Sequence, residues 1–155
     1  VDTEPRVGSL GPALPEDEAF MRLALEAAVA GGSRFGAVIV RDGAVLAAAC
    51  NERRRTGDPT AHAEIVAVRA AAAAHGPDVL RGATVYATGE PCPMCAAACV
   101  YAGVDRIVFG ASIAELAAFR PQIAIPCAEV VALAPFAEVS VTGGVLAAEA
   151  LALFL

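Results

Sequence analysis

The stretch Thr84–Phe109, TVYATGEPCPMCAAACVYAGVDRIVF, decides how the fold is read. Thr84 to Thr88 is a short β-type run, and Arg106 to Phe109 is another. Between them Pro93 suits the first position of a helix that runs to about Tyr101. Working outward, Asp58 and Pro59 predict the start of an alanine-rich helix that continues to about Ala74 and is ended by His75, Gly76 and Pro77. Phe35 to Val40 and Ala44 to Ala49 flank Arg41-Asp42-Gly43 and read as a hairpin. Asn51 to Asp58 is a polar loop carrying Arg53, Arg54 and Arg55. At the N-terminal side, Glu16, Asp17 and Glu18 open an apolar-periodic helix that stops at Gly31-Gly32. Beyond Phe109 the sequence predicts a short helix over Ser112–Ala118, irregular chain over Pro121–Pro126, an edge strand over Val139–Thr142, and a final helix within Gly144–Leu155. Strands alternating with helices predict an α/β sheet covered by helices.

Length and composition bound the rest. A chain of 155 residues suits one domain, expected over residues 16–155, with a loose tail over residues 1–15. Hydrophobic residues make up 57% and mean hydropathy is +0.62, which excludes disorder for most of the chain. The 38 alanines make this apolarity one of many small side chains. The longest run without a charged residue, Pro91–Val104, is shorter than the ~20 residues a membrane span needs. Val1–Pro15 has no apolar core, so it is not read as a signal peptide, and a cytoplasmic location is expected. There are 11 arginines, no lysine and 17 acids, giving a net charge of −6. That balance predicts a small-molecule substrate and makes nucleic acid an unexpected partner.

Four residues carry the chemistry: His62, Glu64, Cys92 and Cys95. Cys92 and Cys95 are spaced so that one metal ion takes both sulfurs, and a helix start between them favours thiolate. With His62 as third ligand, two thiolates and an imidazole would hold one tetrahedral zinc per chain, with the fourth position open to a water or hydroxide. Glu64, two residues after His62, would not bind the ion; it would carry protons between that water and the substrate. A redox pair remains an alternative. So does a closed structural zinc site with Cys99, Cys50, Cys127 or His75 as fourth ligand.

The combination His-x-Glu…Pro-Cys-x-x-Cys is the signature of zinc nucleobase deaminases. Residues Pro59–Glu64 (PTAHAE) and Glu90–Cys95 (EPCPMC) resemble the cytidine deaminase superfamily, over about Phe20 to Phe154. The resemblance is to the branch of guanine, cytosine and tRNA adenosine deaminases. It implies a three-layer α/β/α sandwich with a central mixed five-stranded sheet, and a homodimer. It also implies substrate contacts at Asn51 and at the backbone of Ala63 and Glu64.

For the substrate, FGAVIV (Phe35–Val40) resembles the free-base deaminases, whereas Val141–Phe154 also resembles the tRNA enzymes. No basic residue follows Arg120, while Glu129, Glu138 and Glu149 do. The sequence therefore predicts a deaminase of a free, guanine- or cytosine-like nucleobase. A tRNA adenosine deaminase is the alternative, and a non-catalytic zinc module a lesser one. Phe35, rather than Phe119, Phe136 or Phe154, is the expected aromatic wall. Glu115, the one acid of Ile113–Gln122, is a candidate second carboxylate at the substrate.

Overall fold

In the computed structural model, which describes residues 9–155, five strands form one sheet in the order β2-β1-β3-β4-β5. They are β1 (Gly36–Arg41), β2 (Ala44–Cys50), β3 (Thr84–Gly89), β4 (Arg106–Ala111) and β5 (Ser140–Thr142). The Arg41–Ala44 turn makes β1 and β2 antiparallel, with Asp42 at φ 50° and Gly43 at φ 76°, as a tight hairpin requires. β1 and β3 are also antiparallel; β3–β4 and β4–β5 are parallel. The sheet is therefore mixed, and the stretch Thr84–Phe109 supplies its parallel strand–helix–strand unit.

Side chains alternate across the sheet and build two apolar layers. Ile39, Val85, Ile107 and Val141 face one side, under α3 (Ala63–His75), α4 (Pro93–Ala102) and α6 (Cys127–Ala132). Val38, Val40, Tyr86 and Val108 face the other, under α1 (Asp17–Ala30) and α7 (Ala147–Ala152). The result is the three-layer sandwich. Alanine sets its tightness: Ala63, Ala67 and Ala71 of α3 are fully buried. At Gly36 a Cβ would collide with the carbonyl oxygen of Ala24, so α1 lies on β1 at a distance only glycine permits.

One polar network ties α1 to the sheet. The buried Asp17 carboxylate accepts from Arg106 Nη1 and Nη2, both at 2.6 Å, and from the Tyr86 hydroxyl at 2.9 Å. Burial pushes the Asp17 carboxyl up, but Arg106, the Leu14 N–H and Tyr86 together hold it below its ordinary value.

The structure corrects several expectations. The helix expected from Asp58 begins one turn later, because the Asp58 carboxylate accepts the Thr60 N–H at 2.8 Å and closes a local turn instead. Arg53–Thr56, expected as loop, is a one-turn helix, α2, and Pro77–Leu80 is a 3-10 turn. The expected Ser112–Ala118 helix is the single turn α5 (Ile113–Leu116), capped by Ser112. Helix α6 had no sequence signal, since it follows Pro126 after a short irregular run. The C-terminal helix is shortened by Leu146, at φ 54°. Of the expected loose tail, residues 1–8 lie outside the described residues. Residues 9–15 are anchored: Gly11 N–H donates to the Val141 carbonyl at 2.7 Å, and the Thr142 hydroxyl donates to the Pro12 carbonyl at 3.2 Å. No helix among the described residues is long and apolar enough to cross a membrane.

Candidate active site

Two helix N-termini converge at one end of the sheet. His62 is the N-cap of α3 and Cys92 the N-cap of α4, both with extended backbone. Pro93 then fixes the first turn of α4 and brings Cys95, its third residue, back beside Cys92. His62 Nδ1 lies 3.6 Å from Cys92 Sγ and 3.5 Å from Cys95 Sγ. Ideal zinc–sulfur and zinc–nitrogen bonds at a tetrahedral angle put sulfur and nitrogen about 3.6 Å apart. All three donors lie within 4.8 Å of one another, the one such group among the described residues. The donor set fits zinc. Cys99 is fully buried among the core residues of α4, with burial pushing its thiol up to about 12. Cys99 and Cys127 pack as apolar residues, and no fourth protein donor joins the group among the described residues.

The electrostatics suit a metal. A hydrogen bond from the Cys95 thiol, opposed by burial and helped by His62, holds Cys92 down at about 4. The same bond, with burial, pushes Cys95 up, so the two sulfurs share a proton that an ion would displace. His62 is raised by its contact with Cys92. Glu64, the second residue of α3, is buried beside Cys95, and burial raises its carboxyl above the ordinary range.

A cavity of about 310 Å³ opens over these groups. His62, Ala63, Glu64 and Cys92 line its inner end, and Asn51 and Phe35 line its side. Asn51 Oδ1 accepts the Arg53 N–H at 3.0 Å, so Asn51 also closes the turn after β2. Phe35 packs edge-on against Phe154, with ring centroids 5.3 Å apart, and Arg120 lies over its face. Glu115 does not reach the cavity: its carboxylate accepts the Ser112 N–H in a capping box, the S-x-x-E pattern of residues 112–115. Of the three consecutive arginines, Arg53 lines the cavity and Arg55 pairs with Glu52. Leu116, from α5, and the irregular Arg120–Ile123 also line the cavity; of this stretch only Glu115 was expected at the site, because the chain reaches the cavity through tertiary packing.

Residues 14–111 match the cytidine and deoxycytidylate deaminase zinc-binding region, and the chain belongs to that family. A tRNA-specific adenosine deaminase of Agrobacterium fabrum is 48% identical over 96 residues, covering 59% of this chain and 63% of the relative. The matched region thus spans under two thirds of that relative's length. A solved structure from a study of A-to-I editing by tRNA:A34 deaminases at the wobble position of transfer RNA is 36% identical, covering 87% of this chain and 98% of that one, with a TM-score of 0.69. A guanine deaminase of Bacillus subtilis is 43% identical over 90 residues, covering 57% of this chain and 58% of the relative.

These likenesses correct the expectation of a free nucleobase substrate, since identity is higher to an enzyme named for tRNA, 48% against 43% for the guanine deaminase. The relatives named for tRNA also conflict with the expectation against nucleic acid. Net charge does not report where the arginines stand. Arg53 and Arg120 line the cavity, and Arg34 lies over Phe154, which packs against Phe35. The two relatives named above are deaminases, enzymes that act on C–N bonds.

Proposed function

We propose that the chain is a tRNA adenosine deaminase, converting adenosine to inosine with release of ammonia. The likeness across 87% of the chain to a tRNA:A34 deaminase structure carries this reading. The arginines at the cavity support it, since single-stranded RNA loops are held by stacking and by guanidinium groups. A zinc ion on His62, Cys92 and Cys95 supplies, when bound, an acidified water as the nucleophile.

The chain's own residues do the rest. Glu64 takes a proton from the attacking water, places one on the ring nitrogen next to the reacting carbon, and later protonates the departing amine. Water adds its oxygen to the carbon, the C–N bond breaks, and ammonia leaves. Ala63 is the first residue of α3, so its N–H has no partner within the helix and is free to orient the substrate. Asn51 offers both donor and acceptor to the base edge. Phe35 flanks the ring. A cytoplasmic homodimer, as the family resemblance implies, completes the proposal.

The test is substrate choice. Zinc-loaded protein is incubated with a tRNA anticodon stem-loop and, separately, with adenosine, guanine and cytosine, and ammonia is measured. Release from the stem-loop far above the free compounds is expected. Release from a free base with none from the RNA contradicts the proposal.

A further inference from the structure

Glu90 lies two residues before Cys92, yet it is no metal donor and the chemistry above leaves it unused. Its Oε1 accepts the Ile113 N–H at 2.8 Å, and its Oε2 accepts the Cys127 N–H at 2.7 Å. Ile113 and Cys127 are the first residues of α5 and α6, whose N–H groups have no partner inside their own helices. One carboxylate therefore holds both ends of the segment between them. That segment supplies Leu116, Arg120, Pro121, Gln122 and Ile123 to the cavity.

Beyond Glu90 it is held by side-chain packing rather than by backbone pairing: Leu116 is buried with Ala111 and Ala150, and Phe119 stacks on Phe154 with centroids 5.4 Å apart. Among the described residues, every backbone hydrogen bond made by residues 117–126 goes to a neighbour no more than four positions away. The wall has no ladder bond to the sheet. Its ends rest on Glu90, and its middle rests on these apolar contacts and on Arg120, whose guanidinium carbon is 5.7 Å from the Phe35 ring centre and 5.9 Å from that of Phe154. The backbone N–H of Glu90 itself donates to the Ala111 carbonyl at 2.7 Å, which registers Glu90 on the end of β4.

We propose that Glu90 is a positioning residue: by gripping Ile113 and Cys127 on one carboxylate, it sets where the Leu116–Ile123 wall stands and so how the substrate fits the cavity. The substrate, though not the grip, rests on the deaminase reading above. A carboxylate is required because two N–H donors face two oxygens, and both bonds are charge-assisted. An amide presents one oxygen and one NH2, which meets an N–H donor to donor.

The experiment compares wild type, Glu90→Gln and Glu90→Asp as full, zinc-loaded chains. For Glu90→Gln we expect amide exchange across residues 114–127 to quicken and KM for the stem-loop to rise, each about tenfold. Zinc content and kcat should stay near wild type, because the donors and Glu64 are untouched. Glu90→Asp keeps both oxygens on a shorter stem and should recover part of both effects. Wild-type exchange and KM in Glu90→Gln overturn the proposal; so does a loss of zinc and kcat with KM unchanged, which places Glu90 in support of the metal pair. If Glu90→Gln does not fold, Glu90→Asp decides: faster exchange over 114–127 supports the grip, and wild-type exchange overturns it. If the wild type leaves RNA unaltered, the deaminase reading fails while the exchange measurement still reports on Glu90.

Discussion

Glu64 and His62 are two residues apart, a spacing that points side chains away from each other along a helix. The structure reconciles them by making His62 the N-cap and Glu64 the second helical residue, so both reach the same end of α3. This arrangement was partly legible: the motif named the residues, but Asp58-Pro59 placed the helix start too early, because the Asp58 side-chain turn was not foreseen. Glu64→Ala should keep zinc and lower turnover by about 10²–10⁴-fold, the usual worth of a general acid–base group. Metal analysis beside an ammonia assay checks this. Asn51 has two tasks that one substitution separates. Asn51→Asp keeps the oxygen that accepts from Arg53 but removes the NH2 donor. Thermal stability should hold while kcat/KM falls about 10–100-fold, a loss expected for one missing substrate bond.

Each element that carries the chemistry is marked by a local stop or start in the sequence. Pro93 fixes the start of α4, and Gly103, at φ 86°, ends it. Such marks depend on a residue and its near neighbours, and the five strands, the three longer helices and the short α5 and α7 followed from them. The other short elements did not. α2 is an exposed turn closed by Asn51 Oδ1 on the Arg53 N–H, and the start of α6 is bound by the distant carboxylate of Glu90. The cavity wall was hidden for the same reason. The packing of α1 on β1 has one sharp dependence, at Gly36. Gly36→Ala should cost about 1–3 kcal/mol through overpacking, read as a melting temperature lower by about 2–4 °C per kcal/mol.

Across the whole molecule, composition is a guide to architecture. The alanine excess is spent on close helix–sheet packing, as its place in the core of α3 shows. The acidic balance, 17 acids against 11 arginines, says nothing about where the arginines gather. Overall stability should depend on the Asp17–Arg106 pair, which joins the first helix to β4. Asp17→Asn leaves Arg106 without its buried counter-charge and should cost about 3–5 kcal/mol, measured by denaturant unfolding. Because the Asp17 carboxyl is held below its unfolded value, its contribution is present above pH about 4 and is lost as pH falls through the folded value. Wild type should therefore lose stability below pH about 4 more steeply than Asp17→Asn. The central claim, that this centre deaminates adenosine in tRNA, is tested most directly by nucleoside mass spectrometry of tRNA incubated with zinc-loaded wild type and with Glu64→Ala. The account predicts inosine formed by the wild type alone, with one zinc per chain in both proteins; tRNA left free of inosine by the zinc-loaded wild type would contradict it.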